Sequence, residues 1–291
     1  MTAFGCILLT TGNKPDDLAL GVGSLLRQRD VETDVVVVGN GWRPEGLPAG
    51  ARGVHVEVDE GIPAGRNAGV PHVRGELLFF LDDDASLADD DALARVAARF
   101  AADPRLGMAQ LRVDPRRDGG IEKEPLRDWT PRLRVGDRTR PSPITVVWEG
   151  AVAIRRSVFE AVGGWPAAFR FVHEGVDLGW RVMDAGYDIH YAGDIAVLHP
   201  VTGAPPHDYS FYFGARNRVW LARRHLPLPL GVLYVGGFVL RSVPRYRRSP
   251  QAVKEAFRGY RDGVRSSAGP RRPLKVSTLW RMLRAGRPPI A

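Results

Sequence analysis

Short apolar runs alternate with amphipathic segments through the first 113 residues of the chain. Strands are predicted at 4–10, 34–39, 54–58, 77–81 and 106–113, where the runs are apolar, rich in β-branched residues or alternating. Helices are predicted from Pro15 onward, over 62–73, and after the three aspartates at 89–91. This alternation predicts an α/β protein with a mostly parallel central sheet and helices on both faces.

The pattern changes after residue 113. Residues 114–143 are polar and rich in Arg, Asp, Gly and Pro, which predicts a loop with little regular structure. Further strands are predicted at 145–154 and 195–199. Further helices are predicted at 155–162, 174–185 and 209–225, the first ending at Gly163-Gly164 and the second capped by Gly186.

The composition is that of a globular protein and argues against a disordered, collagen-like or coiled-coil chain. Of the 291 residues, 44% are hydrophobic and 25% are charged. Cys6 is the single cysteine, which excludes an intramolecular disulfide and suits a reducing compartment. The N-terminus does not have the pattern of a signal peptide, and no uncharged apolar run is long enough to span a bilayer.

The formal net charge of +8 is distributed unevenly along the chain. Residues 1–215 contain 23 Lys and Arg against 31 Asp and Glu, a balance of −8. Residues 216–291 contain 18 against 2, a balance of +16. The basic excess is confined to the last quarter, so a protein coated throughout by nucleic acid is disfavoured.

Three consecutive carboxylates, Asp82, Asp83 and Asp84, follow the buried strand predicted at 77–81. Ligands of open α/β sheets bind at the carboxyl ends of strands, and residues two apart in an extended segment point the same way. Asp82 and Asp84 are therefore placed to face one ligand, and a cation would offset their repulsion. Oxygen ligands suit Mg²⁺ or Mn²⁺ and, through the metal, a diphosphate substrate. The alternative is a solvated acidic turn.

A glycine-rich segment, DEGIPAGRNAG at 59–69, precedes that strand. Its small residues permit close approach of the backbone to a ligand. Arg66 can pair with phosphate or stack on a base, and Asn67 offers both a donor and an acceptor. The alternative is a plain turn with an exposed arginine.

A third segment, HEGVDLGWR at 173–181, places Glu174, Asp177 and Arg181 along one helix face. Glu174 lies at the positive end of the helix dipole, which is expected to favour its ionised form and makes it a candidate general base. Asp177 and Arg181 are four residues apart and can pair. The alternatives are an acidic helix cap and a surface salt bridge. His199 is a candidate metal or phosphate ligand, with a structural role as the alternative.

Together these segments resemble family 2 glycosyltransferases, inverting enzymes of the GT-A fold that use nucleotide-diphospho sugars. The resemblance covers about 4–225 and rests on CILLTTGN, GRNAG, FFLDDD, and the block from WEGAVAIRRSVFEAVGGW through HEGVDLGWRVMDAGY to VLHP. It implies a GT-A domain at 1–225, with a nucleotide-sugar-binding half at 1–113 and an acceptor half at 144–225. A basic, helical extension follows at 226–291.

The resemblance also implies roles for matching residues. It implies nucleotide-sugar binding by Thr10, Thr11, Asn40, Arg66, Asn67, Asp82 and Asp83. It implies Mn²⁺ or Mg²⁺ on Asp84, with Asp82 and His199 beside it. It implies an acceptor side formed by Trp148, Glu149, Gly150, Trp180 and Arg181. Either Glu174 or Asp177 would be the base of a single inverting displacement.

Two positions depart from the family pattern. Gly39, followed by Asn40, stands where the family usually has an aspartate that helps recognise the base, so the identity of the base stays open. In the acidic motif, Gly175 replaces the aspartate commonly assigned as the catalytic base. Glu174 is therefore the preferred base, and Asp177 is the second choice.

An apolar stretch bracketed by arginines follows the family block and contains Trp220, Tyr234 and Phe238. Such a pattern is typical of a segment lying on an anionic membrane, here within 216–291. The alternative is a core helix or an oligomer contact. The expected location is cytoplasmic, peripheral at the inner face of the plasma membrane.

The expected partners are a nucleotide-diphospho sugar and a glycan or lipid-linked acceptor in cell-envelope polysaccharide, glycolipid or glycoconjugate synthesis. No nucleic-acid partner is expected. Two other functions stay open. One is a sugar nucleotidyltransferase, which would carry a glycine-rich loop with a basic residue after the first strand. The other is a non-catalytic protein that binds glycan or nucleotide.

Overall fold

The computed structural model describes residues 1–116, 137–200, 208–246, 249–286 and 288–289. The strands are β1 (Ala3–Thr10), β2 (Glu32–Asn40), β3 (Ala51–Val56), β4 (Leu77–Asp82), β5 (Ser86–Leu87), β6 (Leu106–Arg116), β7 (Ser142–Pro143), β8 (Ala151–Arg155) and β9 (Asp188–Pro200). The helices are α1 (Pro15–Leu26), α2 (Ile62–Gly69), α3 (Ala92–Ala102), α4 (Arg156–Val162), α5 (Glu174–Asp184), α6 (Asp208–His225), α7 (Leu228–Tyr246), α8 (Pro250–Arg265) and α9 (Val276–Arg284).

The strands form one mixed sheet in the order β3-β2-β1-β4-β8-β6-β9-β5, with β7 beside β9. β1, β2, β3 and β4 are parallel neighbours. β8 runs antiparallel between β4 and β6, and β6 pairs with β9 in parallel. Six of the nine described strands thus share one direction, and the predicted α/β fold with a mostly parallel sheet is confirmed.

Helices cover both faces of the sheet, as predicted. Side chains alternate along the buried strands, so Cys6 and Leu8 face one apolar layer and Ile7 faces the other. The first layer includes residues of α1 and α3. The second includes residues of α4, α5, α6, α7 and α9. Helices α6, α7 and α9 are therefore packed on the same sheet face as α5, the helix that carries the candidate base.

The strand predicted at 145–154 is shorter than expected, because only Ala151–Arg155 joins the sheet. The preceding backbone packs on glycines of α5 instead. A Cβ atom at Gly175 would lie 2.4 Å from the Val147 oxygen, and one at Gly179 would lie 3.3 Å from the Thr145 oxygen. The glycines of α5 thus allow residues 145–147 to lie against the helix.

Two other predicted boundaries also shift. The helix predicted at 62–73 ends at Gly69 and continues as a 3-10 turn, Val70–His72, because Pro71 lacks the amide hydrogen that an α-helix needs. The strand predicted at 54–58 begins earlier, since its register on β2 pairs Ala51 with Val35. Most of the predicted loop at 114–143 lies outside the described residues. Its last part contains β7.

The C-terminal extension is helical, as predicted. Tyr234 and Met282 are buried in the same apolar layer as Trp180 of α5. The Asp184 carboxylate, at the end of α5, accepts hydrogen bonds from the Lys275 amide (2.8 Å) and the Thr278 hydroxyl (2.7 Å). Division of the chain at residue 225 stays a prediction, and the extension shares a core with the preceding residues. Within the described chain, none of the helices combines the length and apolarity needed to cross a membrane.

Candidate active site

The carboxylates at the end of β4 are surrounded by cationic groups from three other segments. Asp84 accepts hydrogen bonds from Lys14 Nζ (2.6 Å) and His199 Nε2 (3.0 Å). Asp82 accepts one from Arg66 Nη2 (2.5 Å). β4 ends next to β1 in the sheet, and His199 lies near the end of β9. The sheet topology therefore gathers residues that are more than 100 positions apart.

These contacts control the protonation of the acidic cluster. Burial acts to raise the pKa of Asp84, but hydrogen bonds from His199 and Lys14 outweigh it and hold that pKa below its usual range. For His199, burial acts to lower the pKa, and the Asp84 hydrogen bond and charge raise it overall. Burial raises the pKa of Asp83 to about 6 against a hydrogen bond from Thr10. Asp84 is therefore ionised, and the ionised carboxylate is the form that binds a cation.

Asp82, Asp84 and His199, which the resemblance implies as metal ligands, lie together in the structure. One ligand atom from each lies within 4.8 Å of the others. Two carboxylates and an imidazole suit Mn²⁺ well, and the carboxylate oxygens also suit Mg²⁺. The residues present therefore fit a divalent metal at this edge of the sheet.

A cavity of about 560 Å³ lies beside the cluster, at the carboxyl ends of β1 and β2. Four predicted donor-binding residues line it: Thr10, Thr11, Asn40 and Asp83. It is also lined by residues that the sequence did not single out, among them Asn13, Lys14, Arg170, Phe171, Tyr209 and Phe213. We call it the donor cavity, after these four predicted residues, and its mixed polar and aromatic lining suits a nucleotide.

Arg66 and Asn67, predicted together, have different surroundings. Arg66 is 3% exposed and lies on the Trp165 ring, and its Nη1 has no hydrogen-bond partner among the described residues. The Asn67 amide donates to the Trp165 oxygen (2.8 Å) and accepts from the Trp165 amide (2.9 Å). Arg66 thus reaches the acidic cluster, whereas Asn67 fixes the loop that carries Trp165.

Glu174 is the first residue of α5 and is 3% exposed. Its Oε2 atom has no hydrogen-bond partner in the part of the chain that the structure describes. Burial, with the negative charge of Glu149, raises its pKa to about 8 against the opposing charge of Arg66. The expectation that the helix dipole keeps Glu174 ionised is wrong, because burial and Glu149 dominate.

Glu149 and Gly150 lie at the junction between the acidic cluster and α5. Glu149 Oε1 accepts a hydrogen bond from the Gly175 amide (2.5 Å). A Cβ atom at Gly150 would lie 2.2 Å from the Trp148 ring and 2.4 Å from Asp82 Oδ2. Trp148 in turn packs edge-on against His199, with ring centroids 5.7 Å apart. This segment therefore brings Glu174, Asp82 and His199 into one site.

The sequence matches the family model "Glycosyl transferase family 2" over residues 6–163. The chain belongs to this family. The matched region includes the donor cavity residues on β1 and β2, the acidic cluster and β8.

Two curated relatives are rhamnosyltransferases. O-antigen chain rhamnosyltransferase RfbN of Salmonella typhimurium is 24% identical over 202 residues, 65% of this chain and 64% of that protein. N-acetylglucosaminyl-diphospho-decaprenol L-rhamnosyltransferase of Mycobacterium tuberculosis is 32% identical over 106 residues, 35% of this chain and 34% of that protein. The chain thus matches less than two thirds of either relative's length.

Solved structures share the fold at low sequence identity. GalNAc-T7 with UDP, GalNAc and Mn²⁺ has a TM-score of 0.59 at 15% identity, covering 92% of this chain and 55% of that one. S. aureus TarS 1–349 also has a TM-score of 0.59, at 13% identity, covering 90% and 81%. Mannosyltransferase PcManGT from Pyrobaculum calidifontis, with GDP-Man and Mn²⁺, has 0.55 at 17%, covering 99% and 76%. These likenesses confirm the GT-A architecture of this glycosyl transferase family 2 member.

The glycine that departs from the family 2 pattern has a structural cause. A Cβ atom at Gly39 would lie 2.0 Å from the Trp42 backbone oxygen, so a side chain there requires the following turn to move. A carboxylate nevertheless reaches the donor cavity from the end of the next strand. Asp59 accepts hydrogen bonds from Asn40 Nδ2 (2.7 Å) and the Gly61 amide (2.7 Å). The Asn40 side chain therefore holds the Asp59 carboxylate at the wall of the cavity.

Asp177, the second candidate base, has a fully paired carboxylate. Arg181 Nε and Nη2 both lie 2.6 Å from Oδ2, and His225 Nε2 lies 2.7 Å from Oδ1. Burial acts to raise the Asp177 pKa, but His225, Arg181 and Arg224 hold it at about 2. The predicted Asp177–Arg181 pair is confirmed, as a buried pair rather than a surface salt bridge.

The remaining acceptor-side predictions separate into two groups. Trp148, Glu149 and Gly150 lie beside the acidic cluster, as described above. Arg181 donates to the Val162 (2.6 Å) and Gly164 (2.7 Å) oxygens and so closes the end of α4. Trp180 packs against the rings of His225 and Tyr234. The structure does not bring Trp180 and Arg181 to the Asp82–Asp84 cluster.

Three charged residues of the site were not predicted. Lys14 is a basic residue shortly after the first strand, and this position was a signal that the sequence offered. Its ammonium group contacts Asp84 directly. Asp59 lies within the glycine-rich segment at 59–69, from which only Arg66 and Asn67 were predicted as binding residues. Arg170 has a positive φ angle (63°), and its guanidinium donates a hydrogen bond to the backbone oxygen of Asp59 (3.0 Å). No periodic pattern marks Arg170, because it lies in a loop.

Proposed function

We propose that this family 2 chain is an inverting glycosyltransferase that moves a sugar from a nucleotide-diphospho sugar to an acceptor hydroxyl. The observation that carries the proposal is the cluster of Asp82, Asp84 and His199 beside the donor cavity. A metal-ligand set next to a cavity for a nucleotide is what a diphosphate leaving group requires. Residues 1–113 would form the donor half and residues 144–225 the acceptor half.

Asp84 and His199, with Asp82, would hold Mn²⁺ or Mg²⁺. Such an ion supplies neutralisation of the charge that develops on the departing diphosphate. Lys14 and Arg66 add positive charge on either side of the carboxylates and support the same task. Thr10, Thr11 and the Asn40–Asp59 pair line the space available to the nucleoside.

Glu174 would accept the proton from the attacking hydroxyl. Its raised pKa and unpartnered Oε2 support this role, since a base near its operating pH with a free oxygen can take up a proton. The full pairing of Asp177 argues against that residue as the base. One displacement at the anomeric carbon then inverts the configuration and needs no covalent enzyme nucleophile.

The relatives suggest the biological setting. An O-antigen chain rhamnosyltransferase and an N-acetylglucosaminyl-diphospho-decaprenol L-rhamnosyltransferase support a role in cell-envelope glycan synthesis. A deoxyhexose donor and a glycan or lipid-linked acceptor are therefore the first substrates to test.

Membrane proximity is the second part of the proposal. Val276, Trp280 and Leu283 form an outward stripe on α9, each at least half exposed. α8 carries a similar stripe of Val253, Phe257 and Val264, flanked by cations. Exposed apolar residues within a basic segment support peripheral binding to an anionic bilayer from the cytoplasmic side.

The catalytic proposal is tested by release of nucleotide diphosphate from a donor panel, with Mn²⁺ or with a chelator. We expect metal-dependent turnover of one donor, and loss of turnover in Glu174→Gln and Asp84→Asn. Formation of a sugar nucleotide from a sugar phosphate would indicate a nucleotidyltransferase. Donor binding without turnover, unchanged by Glu174→Gln, would indicate a non-catalytic binding protein.

The membrane proposal is tested by flotation with vesicles of anionic or neutral lipid. Trp280→Ser is a better variant than removal of 226–291, because the extension shares the core. We expect wild-type protein to float with anionic vesicles and Trp280→Ser to float less, with Leu20→Ser on α1 as the exposed apolar control. Equal flotation of all three proteins would refute the membrane contact.

A further inference from the structure

A second cavity, of about 350 Å³, is enclosed by α5, α6, α7 and α9 and has no lining residue in common with the donor cavity. Its walls include Val176, Trp180, Arg218, Tyr234, Phe238 and Met282. We call it the extension cavity, because three of these residues belong to the C-terminal extension. The acidic cluster does not contribute to it, and all of its lining residues except Thr145 and Val146 lie outside the family match at 6–163.

Arg218 provides a buried positive charge in this cavity. The residue is 9% exposed, and its guanidinium carbon lies 3.6 Å from the centre of the Phe238 ring and 4.9 Å from that of Tyr234. Among the described residues, no carboxylate lies within ion-pair distance of it. His173 Nε2 is 3.5 Å away, but burial and the charge of Arg218 lower the His173 pKa to about 3. The neighbouring ring is therefore neutral and does not compensate the arginine.

Hydrogen-bond donors in the same cavity also lack partners. Arg218 Nε and Trp180 Nε1 are buried, and neither has a hydrogen-bond acceptor in the described chain. Arg241 adds a second cation to the lining, and the described lining residues include no Asp or Glu. A buried cation with unused donors is stabilised by an anion that accepts hydrogen bonds. The ligand that suits the extension cavity is therefore anionic.

The rest of the lining is apolar or aromatic. Val176, Trp180, Tyr234 and Met282 offer carbon surface, and Phe238 covers the guanidinium. A small inorganic anion would leave this surface uncovered. A ligand that joins an anionic group to an apolar chain would cover both parts of the lining.

The outer faces of two cavity walls are apolar too. On α7, Leu228, Val232 and Leu240 are each more than 60% exposed. On α9, Trp280 and Val276 are exposed, while Met282 of the same helix lines the cavity. The extension cavity thus lies between helices whose outer faces are suited to contact lipid.

The cavity is also close in sequence to the candidate base. His173 lines it, and Glu174 follows immediately at the start of α5. Thr145 and Val146 line it as well, and the same segment continues to Gly150 beside Asp82. The cavity therefore adjoins both the start of α5, where Glu174 lies, and the segment that leads to Gly150.

We propose that the extension cavity binds the phosphate-bearing part of an amphiphilic acceptor, a diphosphate between a sugar and an apolar chain. Arg218 and Trp180 donate hydrogen bonds to phosphate oxygens, and Tyr234, Phe238 and Met282 receive the first part of the chain. Naming this ligand as the acceptor rests on the proposed transferase function. Binding of a lipid diphosphate does not, and the two are tested apart.

The test measures binding of farnesyl diphosphate, inorganic diphosphate and farnesol by isothermal titration calorimetry, with EDTA and without nucleotide. We expect farnesyl diphosphate to bind most tightly. Arg218→Gln should weaken it by about tenfold to a hundredfold, the range expected for a lost hydrogen bond to a charged group. Arg265→Gln, an exposed site in the same basic extension, is the charge-matched control and should bind like wild type.

Two further variants separate the sites and guard against misfolding. Phe238→Glu changes a half-buried wall residue and places a carboxylate beside Arg218, so it should also weaken binding. Arg66→Gln should weaken binding of nucleotide diphosphate with Mn²⁺ and leave farnesyl diphosphate binding intact. Retained nucleotide binding by Arg218→Gln would show that it is folded.

Several outcomes would overturn the inference. Equal affinity of wild type, Arg218→Gln and Phe238→Glu for farnesyl diphosphate would exclude the cavity as its site. Inorganic diphosphate bound as tightly as farnesyl diphosphate would indicate a plain phosphate site, and tight farnesol binding would remove the role of the anion. Failure of donor turnover with intact farnesyl diphosphate binding would refute only the proposed transferase function.

Discussion

Glu174 lies where two physical effects oppose each other. A helix N-terminus favours a carboxylate, by an amount that falls off within the first turn. Burial beside Glu149 disfavours it, and the pKa of about 8 shows which effect is larger in this protein. A residue of the right type at the right position is thus given its acid–base character by neighbours that are distant in sequence.

The rate of turnover should depend on pH through the protonation of Glu174. Because a general base must be deprotonated, kcat/KM should rise with pH and level off above about pH 8, where Glu174 is ionised. Glu174→Gln should lower kcat by a factor on the order of 10²–10⁴ and remove this rise. The measurement is a pH–rate profile with saturating metal. An unchanged profile in the variant would assign the base elsewhere.

The same residue predicts a pH-dependent change in stability. Between pH 4.5 and pH 8 the folded protein keeps a proton that the unfolded chain releases, so wild-type stability should fall as pH rises through this window. Glu174→Gln carries no charge there and should melt at a higher temperature than wild type at pH 8. At pH 4.5 the two melting temperatures should be closer. Thermal melts across the window check this, and a constant difference would contradict it.

Gly150 shows how tightly the acidic cluster is packed. Gly150→Ala places a Cβ atom within 2.4 Å of both Trp148 and Asp82, so one of them must move. We expect kcat/KM to fall on the order of tenfold to a hundredfold, as displaced catalytic groups commonly cause. Gly236→Ala on α7 meets no atom within 4 Å and is the matched control. Equal activity of both variants would show that Trp148 can relax.

At the scale of elements, Asp177 joins two helices and the end of a third. Its carboxylate links α5 to His225 on α6, and Arg181 continues the network to the backbone at the end of α4. The i and i+4 spacing on α5 predicts the Asp177–Arg181 pair, but nothing local predicts His225. Asp177 therefore fixes α5, the helix that begins with the proposed base Glu174.

Asp177→Asn should destabilise the protein by about 3–5 kcal/mol, because it leaves Arg181 buried without its anion. Urea unfolding measures the change. Glu160→Gln, at an exposed position of α4, is the control and should have little effect. A small stability loss with a large loss of kcat would instead support Asp177 as the base.

Elements with a strong local pattern were predicted well. The valine run of β2 and the FFL run of β4 lie where the sequence places them, because apolar periodicity is itself the cause of burial. Residues 145–150 were misassigned as strand, since their β-branched side chains fit a strand but the glycines of α5 offered a closer contact. The strand propensity of a segment does not reveal that a helix distant in sequence offers it a better packing surface.

The candidate site shows the same contrast between local sequence patterns and tertiary contacts. Asp82, Asp84 and Glu174 were found from motifs, while Lys14, Asp59 and Arg170 enter through loops whose geometry depends on the sheet. The extension cavity could not be predicted from the sequence, because its lining residues are spread from residue 145 to residue 289. Prediction from sequence reached the residues that share a short segment and missed those assembled by the fold.

At the scale of the whole molecule, the basic extension is part of the core. Met282, Leu274 and Tyr234 fill the layer that also contains Trp180 of α5. A chain ending at residue 225 should therefore melt at a lower temperature than the full chain and expose apolar surface to a dye. A chain ending at residue 289 is the control, because it keeps the buried Pro289, and it should melt like the full protein. Equal melting temperatures of all three would indicate an independent appendage.

The contact of Asp184 with Lys275 and Thr278 has a consequence for protein engineering. Asp184 is the last residue of α5, the helix that begins with Glu174. Its hydrogen bonds therefore join the start of α9 to the C-terminal end of α5. A chimera made to exchange acceptor preference with another family member must transplant α5 together with α6 to α9. Grafting the extension alone would separate the two halves of one structural unit.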